Sequence, residues 1–120
     1  MLRHQNLVAW QRADDLFIRL HRLAQERFPR SERFELSGQL RRAAYSVAAN
    51  IVEGVARRSK GQQVHFFNIA EGSLAETAYC LHVARRLGYI TESEFLELDD
   101  AVRQVFAPLS GLIRHTKEMG

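Results

Sequence analysis

Apolar residues recur every three or four positions along most of the chain, which is the spacing of one face of an α-helix. The first such run predicts an amphipathic helix from about Leu7 to Phe28. It ends there because Pro29 cannot continue a helix and disfavours helical geometry in the residue before it. The apolar positions of this helix are Trp10, Ala13, Leu16, Phe17, Leu20, Leu23 and Ala24.

A second apolar stripe predicts a helix from about Leu36 to Val55. Gly54 near its end allows two interpretations, since glycine often terminates a helix but is also tolerated inside one at a cost of roughly 1 kcal/mol. The stripe consists of Leu40, Ala44, Val47, Ile51 and Val55, with the small residues Ala43, Ala48 and Ala49 beside it.

A third helix is predicted to begin at Ser59, which stands three residues before Gln62 in the pattern of a capping box. It ends at Leu87, where Gly88 can adopt the left-handed conformation that follows many helices. Its stripe consists of Phe67, Ala70, Leu74, Thr77, Leu81 and Ala84.

Thr91 and Glu94 repeat the capping-box spacing and predict the start of a fourth helix. Pro108 lies inside this helix, so we expect a kink or break near residues 104–107, where the ring would clash with the carbonyl four residues earlier. Four long helices, short connections and no alternating strand pattern predict an all-α fold. We expect an antiparallel up-down-up-down four-helix bundle in which residues 1–120 form a single domain.

Composition narrows the class of protein further. The 120 residues, 46% of them hydrophobic, suffice for one core. The sequence has one cysteine and no apolar leader segment, so we expect a cytoplasmic protein without disulfides. It has no run of 18 apolar residues, and we expect no association with a membrane.

Patterns typical of catalysis and metal binding are missing from the sequence. No glutamate has a histidine three residues later, no two histidines stand four residues apart, and the glycines form no phosphate-binding loop. Cys80 lies beside the apolar stripe of the third helix and is interpreted as a buried small hydrophobic residue rather than a nucleophile. We therefore expect a protein that is not an enzyme and that has no metal or cofactor.

Basic residues are concentrated in the first half of the chain. Residues 1–60 include 12 basic and 6 acidic residues, whereas residues 61–120 include 5 and 8. Fifteen of the 17 basic residues are arginine. The planar guanidinium group suits phosphate recognition, although a coding bias of the genome would also enrich arginine.

Arg41 and Arg42 have no acidic residue three or four positions away, so their charges must be met by a ligand phosphate, by water, by another helix or by a neighbouring subunit. The alternative to a ligand is an ion pair between helices with Glu53, Glu71 or Glu76.

Arg57, Arg58 and Lys60 surround the predicted start of the third helix, where cations oppose the helix dipole. With the free amides of the first turn they would form an anion site for a phosphate backbone, and the alternative is a solvated basic loop. We predict nucleic-acid binding through five residues, Arg41, Arg42, Arg57, Arg58 and Lys60.

Asn50, Glu53, Ser73 and Glu76 lie beside the apolar stripes of the second and third helices. Polar groups in such positions must be paired if they are buried. We interpret them as a structural polar set that fixes the register of the two helices rather than as a functional site.

The order and spacing of several short segments resemble the bacterial four-helix-bundle family of proteins encoded in intervening sequences of 23S ribosomal RNA genes. The resemblance covers nearly the whole chain. One departure is Ala48, where the family often has proline. The segments are Gln39-Leu40-Arg41-Arg42-Ala43-Ala44, Asn50-Ile51-x-Glu53-Gly54, Arg58-Ser59, Phe67-x-Ile69-Ala70-x-Gly72-Ser73-x-x-Glu76 and Leu87-Gly88-Tyr89-Ile90.

The resembled family is related to the accessory variability determinant proteins of diversity-generating retroelements, which assemble as barrel-like homopentamers and associate with nucleic acid and a reverse transcriptase. The resemblance therefore implies a homo-oligomer of five chains, with RNA or DNA and a reverse transcriptase as partners. By the same resemblance, Arg41, Arg42 and Arg58 would contact nucleic acid or form ion pairs between subunits. Two functions stay open: an accessory factor that binds RNA or DNA, and a protein-interaction scaffold that binds no nucleic acid and uses its basic residues in subunit pairing.

Overall fold

Four α-helices account for most of the structure, a computed structural model that describes residues 2–119. No strand is present within this range, so the predicted all-α fold is confirmed. In chain order the elements are a 3-10 turn (Arg3–Asn6), α1 (Val8–Arg27), a second 3-10 turn (Arg30–Glu32), α2 (Leu36–Ala56), α3 (Lys60–Arg86) and α4 (Glu92–Glu118).

The helices form a closed ring around one core. Each helix packs against its neighbours in the sequence, and α1 also packs against α4. The connections are short, so consecutive helices run antiparallel in a particle of 46 × 24 × 24 Å, and the predicted bundle is confirmed. We refer below to the α1–α2 end, which includes residues 28–35 and 87–91, and to the opposite α2–α3 end, which includes residues 57–59.

The core consists of most of the predicted stripe positions together with the buried face of α4, whereas Trp10, Phe17, Leu23 and Val55 of the stripes are only half-buried. Burying each large aliphatic group stabilises the fold by about 1.5–3 kcal/mol. The largest of the fully buried side chains are Leu20, Leu40, Ile51, Leu74, Leu81 and Leu109.

The loop between α3 and α4 follows the predicted signals closely. Gly88 has a φ of +79°, and hydrogen bonds from its amide to Arg85 O (3.0 Å) and from Tyr89 N to Ala84 O (2.9 Å) form a Schellman motif. Thr91 and Glu94 then form the complete predicted capping box, with distances of 2.8 and 3.1 Å.

At the start of α3, one of the two predicted capping-box hydrogen bonds is formed and the other is not. The Ser59 hydroxyl accepts a hydrogen bond from Gln62 N at 3.1 Å, as predicted. The Gln62 side chain does not complete the capping box; instead the neighbouring Gln63 donates from Nε2 to Arg57 O at 2.9 Å. This bond ties the first turn of α3 back to the loop that precedes it.

Gly54 does not terminate α2, which continues to Ala56. A Cβ atom at this position would lie 2.4 and 2.7 Å from two ring carbons of Phe67 and 3.1 Å from Gln63 O. The glycine is needed because α3 places an aromatic ring against the backbone of α2. The interpretation of Gly54 as a terminator is therefore wrong, and the interpretation as an interior glycine is correct.

Pro108 does not break α4, which is a continuous helix from Glu92 to Glu118. Because proline has no N–H, the carbonyl of Gln104 has lost its partner within the helix. Arg12 of α1 replaces that partner by donating from Nη1 to Gln104 O at 2.9 Å. The break, one of the two predicted outcomes, is thus wrong, and a neighbouring helix supplies the hydrogen bond that the proline removes.

Candidate nucleic-acid interface

The five basic residues predicted to bind nucleic acid lie at two separate places. Arg41 and Arg42 are in the second turn of α2, whereas Arg57, Arg58 and Lys60 surround the loop after that helix. Sixteen residues of mostly helical chain separate Arg41 from Arg57, which corresponds to about 24 Å at 1.5 Å per residue. The first pair belongs to the α1–α2 end and the other three residues belong to the α2–α3 end.

Arg41 is held in place by backbone carbonyls. Its Nε donates to Ser37 O at 3.2 Å and its Nη2 donates to Arg33 O at 3.3 Å. The guanidinium of Arg42 lies over Gly38, where a Cβ atom would be 3.0 Å from Nη1. Within residues 2–119, neither arginine forms a salt bridge.

The alternative ion pairs between helices are therefore not formed by Arg41 or Arg42 in the described chain. Glu53 pairs instead with Arg57 at 2.9 Å, and Glu71 accepts a hydrogen bond from the Ser110 hydroxyl at 3.0 Å. Glu76 is exposed to solvent.

The α1–α2 end has a cavity of about 640 Å³, which we call the arginine cavity. Its charged lining residues, among those that the structure describes, are Arg30, Arg33 and Arg41. Phe34 also lines it with 82% of its surface exposed, and the Arg33 guanidinium carbon lies 5.4 Å from the centre of its ring. The complete lining is Ala24, Gln25, Phe28, Pro29, Arg30, Arg33, Phe34, Ser37 and Arg41.

Sequence reasoning missed Arg30, Arg33 and Phe34 because it treated this segment only as a charged loop. A signal was present in the spacing of two arginines and an aromatic residue directly after Pro29. That spacing places three side chains of the cavity lining in one short connection whose ends are fixed by α1 and α2.

One of the two acids of this loop is engaged elsewhere. Glu32 accepts a hydrogen bond from the Tyr89 hydroxyl at 2.8 Å, and this bond raises the pKa of that phenol. Glu35 is the residue before α2 and is exposed. The carboxylate of Glu32 is thus bound to the α3–α4 connection and does not line the arginine cavity.

The α2–α3 end is also basic, but part of its charge is neutralised locally. Arg57 pairs with Glu53, and its guanidinium carbon lies 4.7 Å from the ring centre of Phe66. Arg58 is exposed. The Ser59 hydroxyl occupies the Gln62 amide, so this donor of the first turn is not free for an anion.

Lys60 lines a second cavity at this end, with a volume of about 330 Å³. Arg3 and His115 line the same cavity, so the start of the chain and the end of α4 meet at the α2–α3 end. Most of the remaining lining is apolar and includes Phe67 and Leu112.

The polar residues between α2 and α3 form a smaller set than the four that we named. Asn50 Nδ2 donates to Ser46 O at 2.8 Å and to Ser46 Oγ at 2.9 Å, and the Ser73 hydroxyl donates to Ser46 Oγ at 2.8 Å. Asn50 and Ser73 are thus joined through Ser46, which sequence reasoning missed. Glu53 and Glu76 do not belong to this set.

Two further observations concern the chemistry available to the described residues. In that part of the chain, no group of three or more His, Cys, Asp and Glu side chains could hold a metal ion, and no helix has the length and apolar character needed to cross a membrane.

Cys80 is buried, as predicted, and this burial raises the pKa of its thiol, with Glu76 adding to the shift. The thiol is therefore in its protonated, weakly nucleophilic form at neutral pH.

The fold and its two basic ends define a small all-helical bundle with arginines at the helix connections. Residues 5–111 match the 23S rRNA-intervening sequence protein family, and the chain belongs to that family.

A solved relative has the same fold. The chain is similar to a protein of unknown function from the S23 ribosomal protein family of Bacteroides thetaiotaomicron, known from a crystal structure. The two have a TM-score of 0.83 and 24% sequence identity, and the match covers 89% of this chain and 96% of the other. Curated proteins include no match to the sequence.

Proposed function

We propose that this protein is a non-enzymatic accessory factor of the cytoplasm that binds RNA or DNA as a homo-oligomer. The observation that carries the proposal is the set of cations at the two ends of the bundle that form no salt bridge within residues 2–119. They include Arg30, Arg33, Arg41 and Arg42 at the α1–α2 end, and Arg58 and Lys60 at the α2–α3 end.

A polyanion would supply the counter-charges that the described chain does not. Binding of these cations to phosphates releases counterions from the nucleic acid, and this release gives affinity that falls steeply as salt concentration rises. Assembly would strengthen the effect, since each chain has a formal net charge of +3 and a ring of five chains would combine the charge of all of them.

The number of five chains, and a reverse transcriptase as a partner, come from the resemblance to the retroelement accessory proteins. Arg41, Arg42 and Arg58 match basic positions of the resembled family. If a reverse transcriptase encoded by a neighbouring gene copurifies with the full chain, this part of the proposal is supported. If it does not copurify, the reverse transcriptase is excluded as a partner.

A second candidate is a protein-interaction scaffold, which is favoured by apolar side chains on the outer surfaces of α2 and α3. Tyr45 is 60% exposed and Tyr79 is 66% exposed, and Ile69 is also exposed. In a scaffold, these side chains would pack against other subunits and the arginines would pair with acids of a neighbouring copy.

A salt titration separates the two candidates. Fluorescence anisotropy of labelled RNA and DNA at about 50 mM salt should detect binding that weakens steeply with added salt. Substituting Arg57, Arg58 and Lys60 together by glutamine should weaken binding, whereas the same loss of charge at Arg19, Arg22 and Arg103 should have a smaller effect. Wild-type protein that binds neither nucleic acid at low salt would overturn the proposal and leave the scaffold.

A further inference from the structure

We propose that the arginine cavity binds one nucleotide unit of a single-stranded nucleic acid, with the phosphate on the arginines and the base on Phe34. This inference rests on the proposed nucleic-acid-binding function and assigns part of it to one place. The volume of about 640 Å³ is in the range of cavities that hold compact ligands.

The phosphate would bind to Arg41, whose guanidinium is already held in position. Arg41 is fixed by hydrogen bonds to Ser37 O and Arg33 O, which use two of the five N–H donors of its guanidinium. Three donors therefore stay available for phosphate oxygens, and charge-assisted bonds of this kind are strong. Arg30 and Arg33 contribute two more guanidinium groups to the same cavity.

The base would stack on the exposed ring of Phe34. Bases stack on aromatic side chains without regard to sequence, and they can do so only when they are not stacked and paired inside a duplex. The guanidinium of Arg33 lies over one face of this ring, 5.4 Å from its centre, so the base would stack on the other face. The combination of an accessible aromatic ring with cations that have no carboxylate partner therefore favours a single strand over a duplex.

Electrostatics near the cavity are consistent with an anionic ligand. No carboxylate belongs to the described residues that line it, and Glu32 of the same loop accepts a hydrogen bond from the Tyr89 hydroxyl. Arg42 lies over Gly38 in the same turn of α2 and adds positive charge close by. The α2–α3 end does not offer the same combination, since the aromatic residue there, Phe66, packs with an arginine already paired to Glu53.

The test compares single-stranded RNA, single-stranded DNA of the same sequence and duplex RNA, each measured by fluorescence anisotropy at about 50 mM salt. Phe34→Leu should weaken binding of both single strands by about five-fold or more, and should change duplex binding by less than about two-fold. Phe34→Trp should retain the affinity, and its fluorescence should be quenched when a base stacks on it. Because residue 34 is exposed, these variants are expected to fold normally.

Tyr79→Leu is the matched control, since it removes another exposed aromatic ring that does not line the arginine cavity. Arg30→Gln combined with Arg41→Gln should weaken binding of all three nucleic acids. Wild-type protein that binds none of them would overturn the proposed function and this inference together. Wild-type protein that binds single strands, with Phe34→Leu and the double arginine variant unchanged, would overturn only the assignment to the arginine cavity.

Discussion

At Gly54, the ring of Phe67 from α3 packs directly against the backbone of α2. Since a Cβ atom there would approach Phe67 to 2.4 Å, Gly54→Ala should destabilise the fold by about 1–3 kcal/mol through overpacking. Chemical denaturation measures the change. Gly72→Ala is the control, because nothing lies within 4 Å of its added Cβ, and it should stabilise α3 by about 0.5–1 kcal/mol. Equal effects at both glycines would contradict the packing explanation.

Several other residue-scale features were accessible to sequence reasoning. Gly88, Thr91 and Glu94 were predicted correctly because a helix end depends on residues only a few positions apart. Cys80 was predicted correctly because its place beside an apolar stripe is local information as well. The reason that Gly54 is a glycine was not predicted, since it depends on the ring of Phe67, 13 positions later in the sequence.

At the scale of helices, α1 and α4 are joined by polar contacts that sequence periodicity does not reveal. Arg12 bonds to the carbonyl that Pro108 leaves free, Arg19 pairs with Glu97 at 3.3 Å, and a further ion pair joins Arg27 to Glu94. Exposed ion pairs of this kind contribute little to stability, so the bond to the carbonyl is the contact to test.

Arg12→Ala should lower the free energy of unfolding by about 0.5–1.5 kcal/mol, because it leaves Gln104 O without a donor. In a Pro108→Ala background the same change should cost less, since the amide of residue 108 then bonds that carbonyl within the helix. Denaturant unfolding of the four proteins in this double-mutant cycle measures the coupling. Arg22→Ala serves as the control on α1, and additivity of the two substitutions would exclude the proposed replacement.

The start of α4 should make stability depend on pH in the acid range. The pKa of Glu94 is lowered, first by the hydrogen bond from the Thr91 amide and further by the Thr91 hydroxyl and Arg27. The folded state therefore binds this proton less readily than the unfolded state does. The resulting stabilisation is present above the unfolded pKa of about 4.3 and is lost as pH falls through the folded value.

Glu94→Gln should accordingly flatten the loss of stability between about pH 6 and about pH 3, because a glutamine does not titrate. Thermal unfolding across this range measures the difference from wild type. Glu118→Gln, at the opposite end of α4, is the matched control. An unchanged slope in Glu94→Gln would mean that the capping carboxylate does not contribute to the pH dependence.

For the whole molecule, the distribution of charge matters more than the net value of +3. The described salt bridges lie mainly along α1 and α4 and at the start of α4, whereas several cations without a carboxylate partner lie at helix connections and in the second turn of α2. Sequence reasoning found the excess of arginine in the first half of the chain. It did not find that Arg30, Arg33 and Arg41 meet at one cavity, at the opposite end of the elongated particle from Arg58 and Lys60.

The oligomeric state can be measured directly. We expect a particle of five chains of 13.8 kDa each by light scattering. Replacing Arg41 and Arg42 by glutamate should weaken nucleic-acid binding and leave this mass unchanged if these arginines contact the ligand. Dissociation of the particle by the same variant would instead assign them to subunit pairing, and a monomeric wild type would contradict the assembly that the family resemblance implies.

The four helices, most of their ends and the apolar stripes that became the core follow from local patterns in the chain, because each of these features depends on residues within one or two helical turns. Which distant residues meet depends instead on how the helices pack. Arg30, Arg33 and Arg41 share a cavity, Gly54 receives Phe67, and Arg12 reaches Gln104 because helix packing fixes the rotation and the level of each helix against its neighbours. That relation is a property of the whole ring of helices, so no local pattern of residues encodes it.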